Sequence, residues 1–190
     1  MENEILSFLS KHVSVSDKLK EVIVASSVIK RFKKGTVLLE AEKPTKESYF
    51  VLKGCIRSYL IRDGEEKTIE FYTEEQPVAL TNYGKNIPSG QYLVCVEDTT
   101  VSVDTPEHEA EMFRKFPEFE SVCRIMSEAL MANYQESFTN YKLMTVEDRY
   151  QHLQETRPDL LQRVPQYQIA SYLGVTPESL SRLRKRLVSR

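Results

Sequence analysis

The residues best suited to chemistry stand close together near the C-terminus: Thr176, Glu178, Ser179, Ser181, Arg182, Lys185 and Arg186. Arginine can grip a guanine edge with two parallel hydrogen bonds, glutamate accepts from the cytosine amine, and serine serves either base or phosphate. Lysine and arginine further along a helix meet phosphates. Such a set works only if one face of a rigid element presents it while the other face is anchored. The preceding residues supply the anchor. Gln166 to Leu173 reads as a short helix ended by Gly174, Val175 lies in a turn, Thr176 caps the next helix, and Pro177 fits its first turn. Ala170 is the small residue where two helices touch, and Ile169, Leu173, Val175, Leu180 and Leu183 fall on the inward faces. This is the pattern of a helix-turn-helix. A plain helical hairpin would need the apolar residues equally, but not Arg182, Arg184, Lys185 and Arg186 together on the outside. Double-stranded DNA is the expected partner.

Other site chemistries find little support. His12, His108 and His152 are far apart, with no cysteine at ligand spacing. Cys55, Cys95 and Cys123 are scattered and read as reduced thiols. There is no Gly-rich phosphate loop and no nucleophile elbow. Glu65-Glu66 and Glu74-Glu75 are adjacent in strand-like runs, where neighbours point to opposite faces, so neither is a catalytic pair. No metal, no cofactor and no enzymatic activity are expected.

The charge distribution agrees with a polyanion at the C-terminal end. The 190-residue chain has a net charge of −2, yet residues 1–140 hold 17 basic against 23 acidic side chains and residues 141–190 hold 9 against 5. An acidic body with a basic end fits nucleic acid. No apolar run approaches the roughly 18 residues of a membrane span, and the start Met1-Glu2-Asn3-Glu4 does not read as a signal peptide. The expected location is the cytoplasm.

Stepping N-terminally, three kinds of pattern must position this end. Glu4 to Ile29 has helical spacing, with Ser16-Asp17 able to start a second helix. From Phe32 to Asp104 short alternating runs are separated by Lys34-Gly35, Lys53-Gly54 and Asp63-Gly64, which points to an antiparallel sandwich or barrel. Glu107 to Lys115 reads as helix, then Glu118 to Leu143 as one long helix with Val122, Met126, Ala129, Leu130 and Asn133 on one stripe. A helix of about 26 residues is about 39 Å long, too long for so small a domain to cover, so the stripe is expected to meet a second copy. Thr145-Val146-Glu147-Asp148 starts a further helix that runs to about Glu155, and Arg157-Pro158-Asp159 breaks it.

The order of these elements resembles the Crp/Fnr family of bacterial transcription regulators. The likeness is closest in Arg163-Val164-Pro165-Gln166, in Ile169-Ala170-Ser171-Tyr172-Leu173-Gly174, and in Thr176-Pro177-Glu178-Ser179-Leu180-Ser181-Arg182. That run is similar to the branch common in Bacteroidetes-type bacteria. The resemblance implies an α+β chain: an N-terminal antiparallel β-roll (a double-stranded β-helix like that of cyclic-nucleotide-binding domains), a long dimerisation helix and a C-terminal helix-turn-helix. The corresponding divisions are 1–106 for effector sensing, 107–144 for dimerisation and 145–190 for DNA. It also implies a homodimer on an inverted-repeat site, with RNA polymerase as a further partner and no membrane. The family's reading-helix Glu and second Arg match Glu178 and Arg182, whereas its first Arg falls on Pro177.

The implied effector pocket lies in the roll, with Tyr72, Glu75, Leu80, Tyr83, Gln91 and Tyr92 as candidate lining. Cyclic-AMP members carry an Arg for the cyclic phosphate. Here that position falls near Ser89-Gly90-Gln91, which has no cation, and Glu74-Glu75-Gln76 stands at the other end. Cyclic AMP is therefore not expected to bind tightly. The rival reading is a ligand-sensing or protein-interaction module whose helical tail does not bind DNA.

Overall fold

The computed structural model describes residues 4–11, 13–78 and 80–188; His12 lies outside them. The first helical region divides where Ser16 caps a new helix, its side chain accepting from the Leu19 amide. The result is α1 (Glu4–Ser10) and α2 (Asp17–Ser26). The helical spacing predicted a helix as far as Ile29, but Val28 and Ile29 open strand β1 (Val28–Phe32). These β-branched residues pair with β8 (Thr99–Asp104), Val28 opposite Val103 and Ile29 opposite Ser102. Tertiary pairing overrides helical spacing there.

The remaining strands are β2 (Val37–Leu39), β3 (Ser48–Lys53), β4 (Ile56–Arg62), β5 (Glu65–Tyr72), β6 (Gln76–Pro77) and β7 (Tyr92–Cys95). They form two four-stranded sheets, ordered β1-β8-β3-β6 and β2-β7-β4-β5, and β1–β8, β2–β7, β3–β6 and β3–β8 pair antiparallel. β8 buries every second residue, as a half-covered strand must. Leu39, Val51, Ile56, Leu93 and Val101 meet in the core between the strands. Gly54 connects β3 to β4 with φ +106, and a Cβ there would stand 2.7 Å from the Thr99 Cα, so only glycine fits. Asp63 and Gly64 both have positive φ, as expected of the tight β4–β5 turn.

Helices α3 (Pro106–Lys115) and α4 (Pro117–Leu143) follow. Met112, Val122 and Met126 pack with Leu9, Val15, Leu19 and Ile23 in a second core. Beyond them come α5 (Val146–Thr156), α6 (Pro158–Arg163), α7 (Gln166–Leu173) and α8 (Pro177–Val188). α5 starts with a reciprocal Thr145–Asp148 cap. Arg157-Pro158-Asp159 does end α5, but Pro158 also opens α6, which the spacing alone did not reveal.

The chain divides into two compact units, neither contiguous in sequence. One holds the chain up to Ser58 together with Phe71–Asn133; the other holds Tyr59–Glu70 and the chain from Tyr134 onward. The tip of the β4–β5 hairpin thus belongs with the C-terminal helices.

Candidate nucleic-acid interface

α7 and α8 are held by Ile169, Ala170, Leu173, Leu180 and Leu183, all buried, with Val175 half-buried. Complete burial of such an aliphatic side chain contributes about 1.5–3 kcal/mol, so this small core is enough to fix the pair. Gly174 is left-handed at φ +73, and its amide closes the end of α7. Thr176 caps α8 by accepting from the Ser179 amide at 3.2 Å.

The opposite face of α8 carries the predicted reading residues. Glu178, Ser179, Ser181, Arg182, Lys185 and Arg186 are all exposed, as is Thr176. The Glu178 carboxyl is held below its ordinary range, first by its own backbone amide, then by Thr176, and more weakly by Arg182. Glu178 is therefore a charged acceptor at neutral pH. Two basic residues are steered from within the same unit: Arg184 donates to Gln166 at 2.6 Å, and Arg186 pairs with Glu147. Tyr167 is exposed near the start of α7.

The six effector candidates have different surroundings among the described residues. Tyr72 belongs to the roll core and Leu80 packs on it. Glu75 pairs with Lys11, and Glu74 accepts from the Gly54 amide at 2.8 Å. Burial raises the Tyr83 hydroxyl to about 12, with Ser48 opposing and Glu109, Asp104 and Glu107 adding to the rise. Gln91 keeps a buried, unpaired Oε1, and Tyr92 is half-buried on β7. Ser89, where a phosphate-binding Arg would stand, is buried, its backbone bonded to Glu42 and Lys43 at 2.7 and 2.9 Å. A shallow groove of about 430 Å³ runs elsewhere, beside Val37, Leu39, Lys43, Pro44 and Tyr49. Among the described residues no cluster of His, Cys, Asp and Glu could hold a metal.

The dimer-stripe candidates divide. Val122 and Met126 are buried in the protomer's own helical core, Ala129 and Leu130 are half-buried, and Asn133 is exposed. Past them, residues 131–139 of α4 are all exposed, with Met131 69% and Phe138 59% accessible.

Residues 29–115 match the family model described as the cyclic nucleotide-binding domain. Over this segment, a little under half of the chain, the protein is similar to that family. These residues and the helices after them also share their fold with solved proteins. FixK2 from Bradyrhizobium japonicum superposes with a TM-score of 0.68 at 21% identity, over 86% of this chain and 85% of that one. CLP of Xanthomonas campestris, titled a c-di-GMP responsive global regulator, gives 0.67 at 15% identity over 92% of both chains. The catabolite activator protein of Thermus thermophilus gives 0.57 at 16% identity, over 93% of this chain and 85% of that one. No curated protein matches the chain in sequence. The likeness read from the sequence therefore holds in fold, as does the α+β class. No helix among the described residues is long and apolar enough to cross a membrane.

What sequence reasoning missed are the partners that steer this end of the chain: Glu147 for Arg186, Gln166 for Arg184, and the hairpin residues Glu66, Thr68 and Glu70. Only Gln166 had a signal, an exposed amide on the helix that precedes the turn.

Proposed function

We propose that the protein is a cytoplasmic, sequence-specific DNA-binding transcription regulator of bacterial Crp/Fnr type, acting as a homodimer and without enzymatic activity. The observation that carries this reading is α8: an exposed face of Thr176, Glu178, Ser179, Ser181, Arg182, Lys185 and Arg186 over a buried two-helix core, at the basic end of an acidic chain. Residues 145–190 bind DNA, residues 107–144 pair two copies along α4, and residues 1–106 sense an effector. Two α8 helices enter successive major grooves about 34 Å apart, so the site is an inverted repeat. RNA polymerase is the partner such a regulator must reach. The effector is not cyclic AMP, because Ser89–Gln91 offers a cyclic phosphate no cation.

The test is selection of bound duplexes from a random DNA pool by the purified protein. Enrichment of an inverted repeat with half-sites one helical turn apart is the expected result. Failure to enrich any sequence would leave the module that senses ligand without binding DNA.

A further inference from the structure

β5 is the outermost strand of its sheet, so its outer amides and carbonyls lack a neighbouring strand. One side chain of α7 serves two of them. The Ser171 hydroxyl accepts from the Thr68 amide at 2.9 Å and donates to the Glu66 carbonyl at 3.1 Å. Glu66 and Thr68 are two apart and so present their backbone groups on the same edge. The hydroxyl thus stands where a partner strand would, and Thr68 is buried.

The next residue of α7 extends the contact. Tyr172 lies against Glu70 and Arg157, and Arg157 donates to Glu70 at 3.0 Å with only 20% and 25% of the two side chains exposed. Burial first, then Glu70, raises the Tyr172 hydroxyl well above its usual value, while Arg157 opposes the rise. Along its length the hairpin tip is therefore fastened to the first helix of the helix-turn-helix. The reading face of α8 stays uncovered: Glu178, Ser179, Ser181, Arg182 and Lys185 remain exposed. The contact is compatible with DNA binding.

The other ends of the same strands are rooted elsewhere. Ile56, Arg57 and Ser58 of β4 and Phe71 and Tyr72 of β5 are buried in the roll.

We infer that Ser171 is a positioning residue, which with Arg157 fastens the β4–β5 hairpin to α7 and so fixes how the helix-turn-helix is held for sequence-specific DNA. The inference rests on the proposed DNA-binding function. A dimer recognises two half-sites at one spacing, so a loosely held reading unit loses specific affinity, while contact with phosphates alone tolerates the looseness.

The experiment compares wild type, Ser171→Ala, Ser171→Thr and Arg157→Gln by three readouts. These are amide exchange at Thr68, affinity for the pool-selected duplex, and affinity for a scrambled duplex of equal length. Ser171→Ala should speed Thr68 exchange by up to about tenfold, the worth of one hydrogen bond. It should also lower the ratio of specific to scrambled affinity several-fold, and Ser171→Thr, which keeps a hydroxyl, should restore both. Arg157→Gln should move both readouts in the same direction and stands in if Ser171→Ala does not fold. Simple loss of folded protein would reduce both affinities alike and leave the ratio fixed. An unchanged ratio, or unchanged Thr68 exchange, overturns the inference. If the wild type selects no sequence, the DNA-binding reading fails separately, and Thr68 exchange still decides whether Ser171 holds the hairpin.

Discussion

A Cβ at position 174 would stand 3.3 Å from the Tyr141 hydroxyl. The turn of the helix-turn-helix therefore sits directly against the last turns of α4, whose Tyr141 ring also carries the Arg149 guanidinium at 4.3 Å. Gly174→Ala adds this contact to a left-handed backbone at φ +73. It should destabilise the C-terminal unit by about 1–2 kcal/mol. Tyr141→Phe in the same chain should return part of that loss. Urea unfolding followed at the helices measures both, and an equally stable Gly174→Ala would contradict the account.

α4 should be the dimer seam, and its exposed half should matter most. Val122 and Met126 are spent on the protomer's own core, whereas Met131, Tyr134 and Phe138 lie open. Phe138→Glu should give monomers that remain folded, since a carboxylate at an apolar seam loses its water without gaining a partner. Light scattering distinguishes the two states; a monomeric wild type ends the idea.

Arg182 should read a base and Lys185 a phosphate. Arg182→Ala should cost about 1–3 kcal/mol per half-site and relax preference at one position. Lys185→Ala should weaken all sequences alike and lower the salt slope by about one. Titrations against the selected site and its single-base variants at two salt concentrations separate these effects. A uniform loss from Arg182→Ala rules out base reading by that residue.

Glu147→Gln should strengthen binding to every duplex. It removes a carboxylate and releases Arg186 of α8 from its ion pair. The same titrations check it, and weaker binding would mean that the pair orients Arg186 productively.

Cyclic AMP should produce no micromolar heat in calorimetry. The Ser89 backbone is bonded to Glu42 and Lys43, and residues 89–91 themselves carry no cationic side chain. A tight titration would show that backbone amides alone can hold the phosphate.

Much of the architecture was legible in the sequence because its signals are local. Gly174, Thr176 and Pro177 mark a helix end and a helix start within a few residues, and Asp63-Gly64 marks a hairpin. The inward set Ile169, Ala170, Leu173, Leu180 and Leu183 and the outward set around Arg182 follow from helical spacing on a short element. The tertiary structure alone decided the rest. Spacing gave α4 an apolar stripe but could not say that α1 and α2 would claim Val122 and Met126. Val28 and Ile29 read as helix until β8 offered them a strand to pair with. Ser171 and Thr68 are 103 residues apart, and nothing in either neighbourhood announces the other. Turns and caps are set by the energies of adjacent residues, whereas the burial of a stripe and the capping of a strand edge depend on which distant surface arrives there.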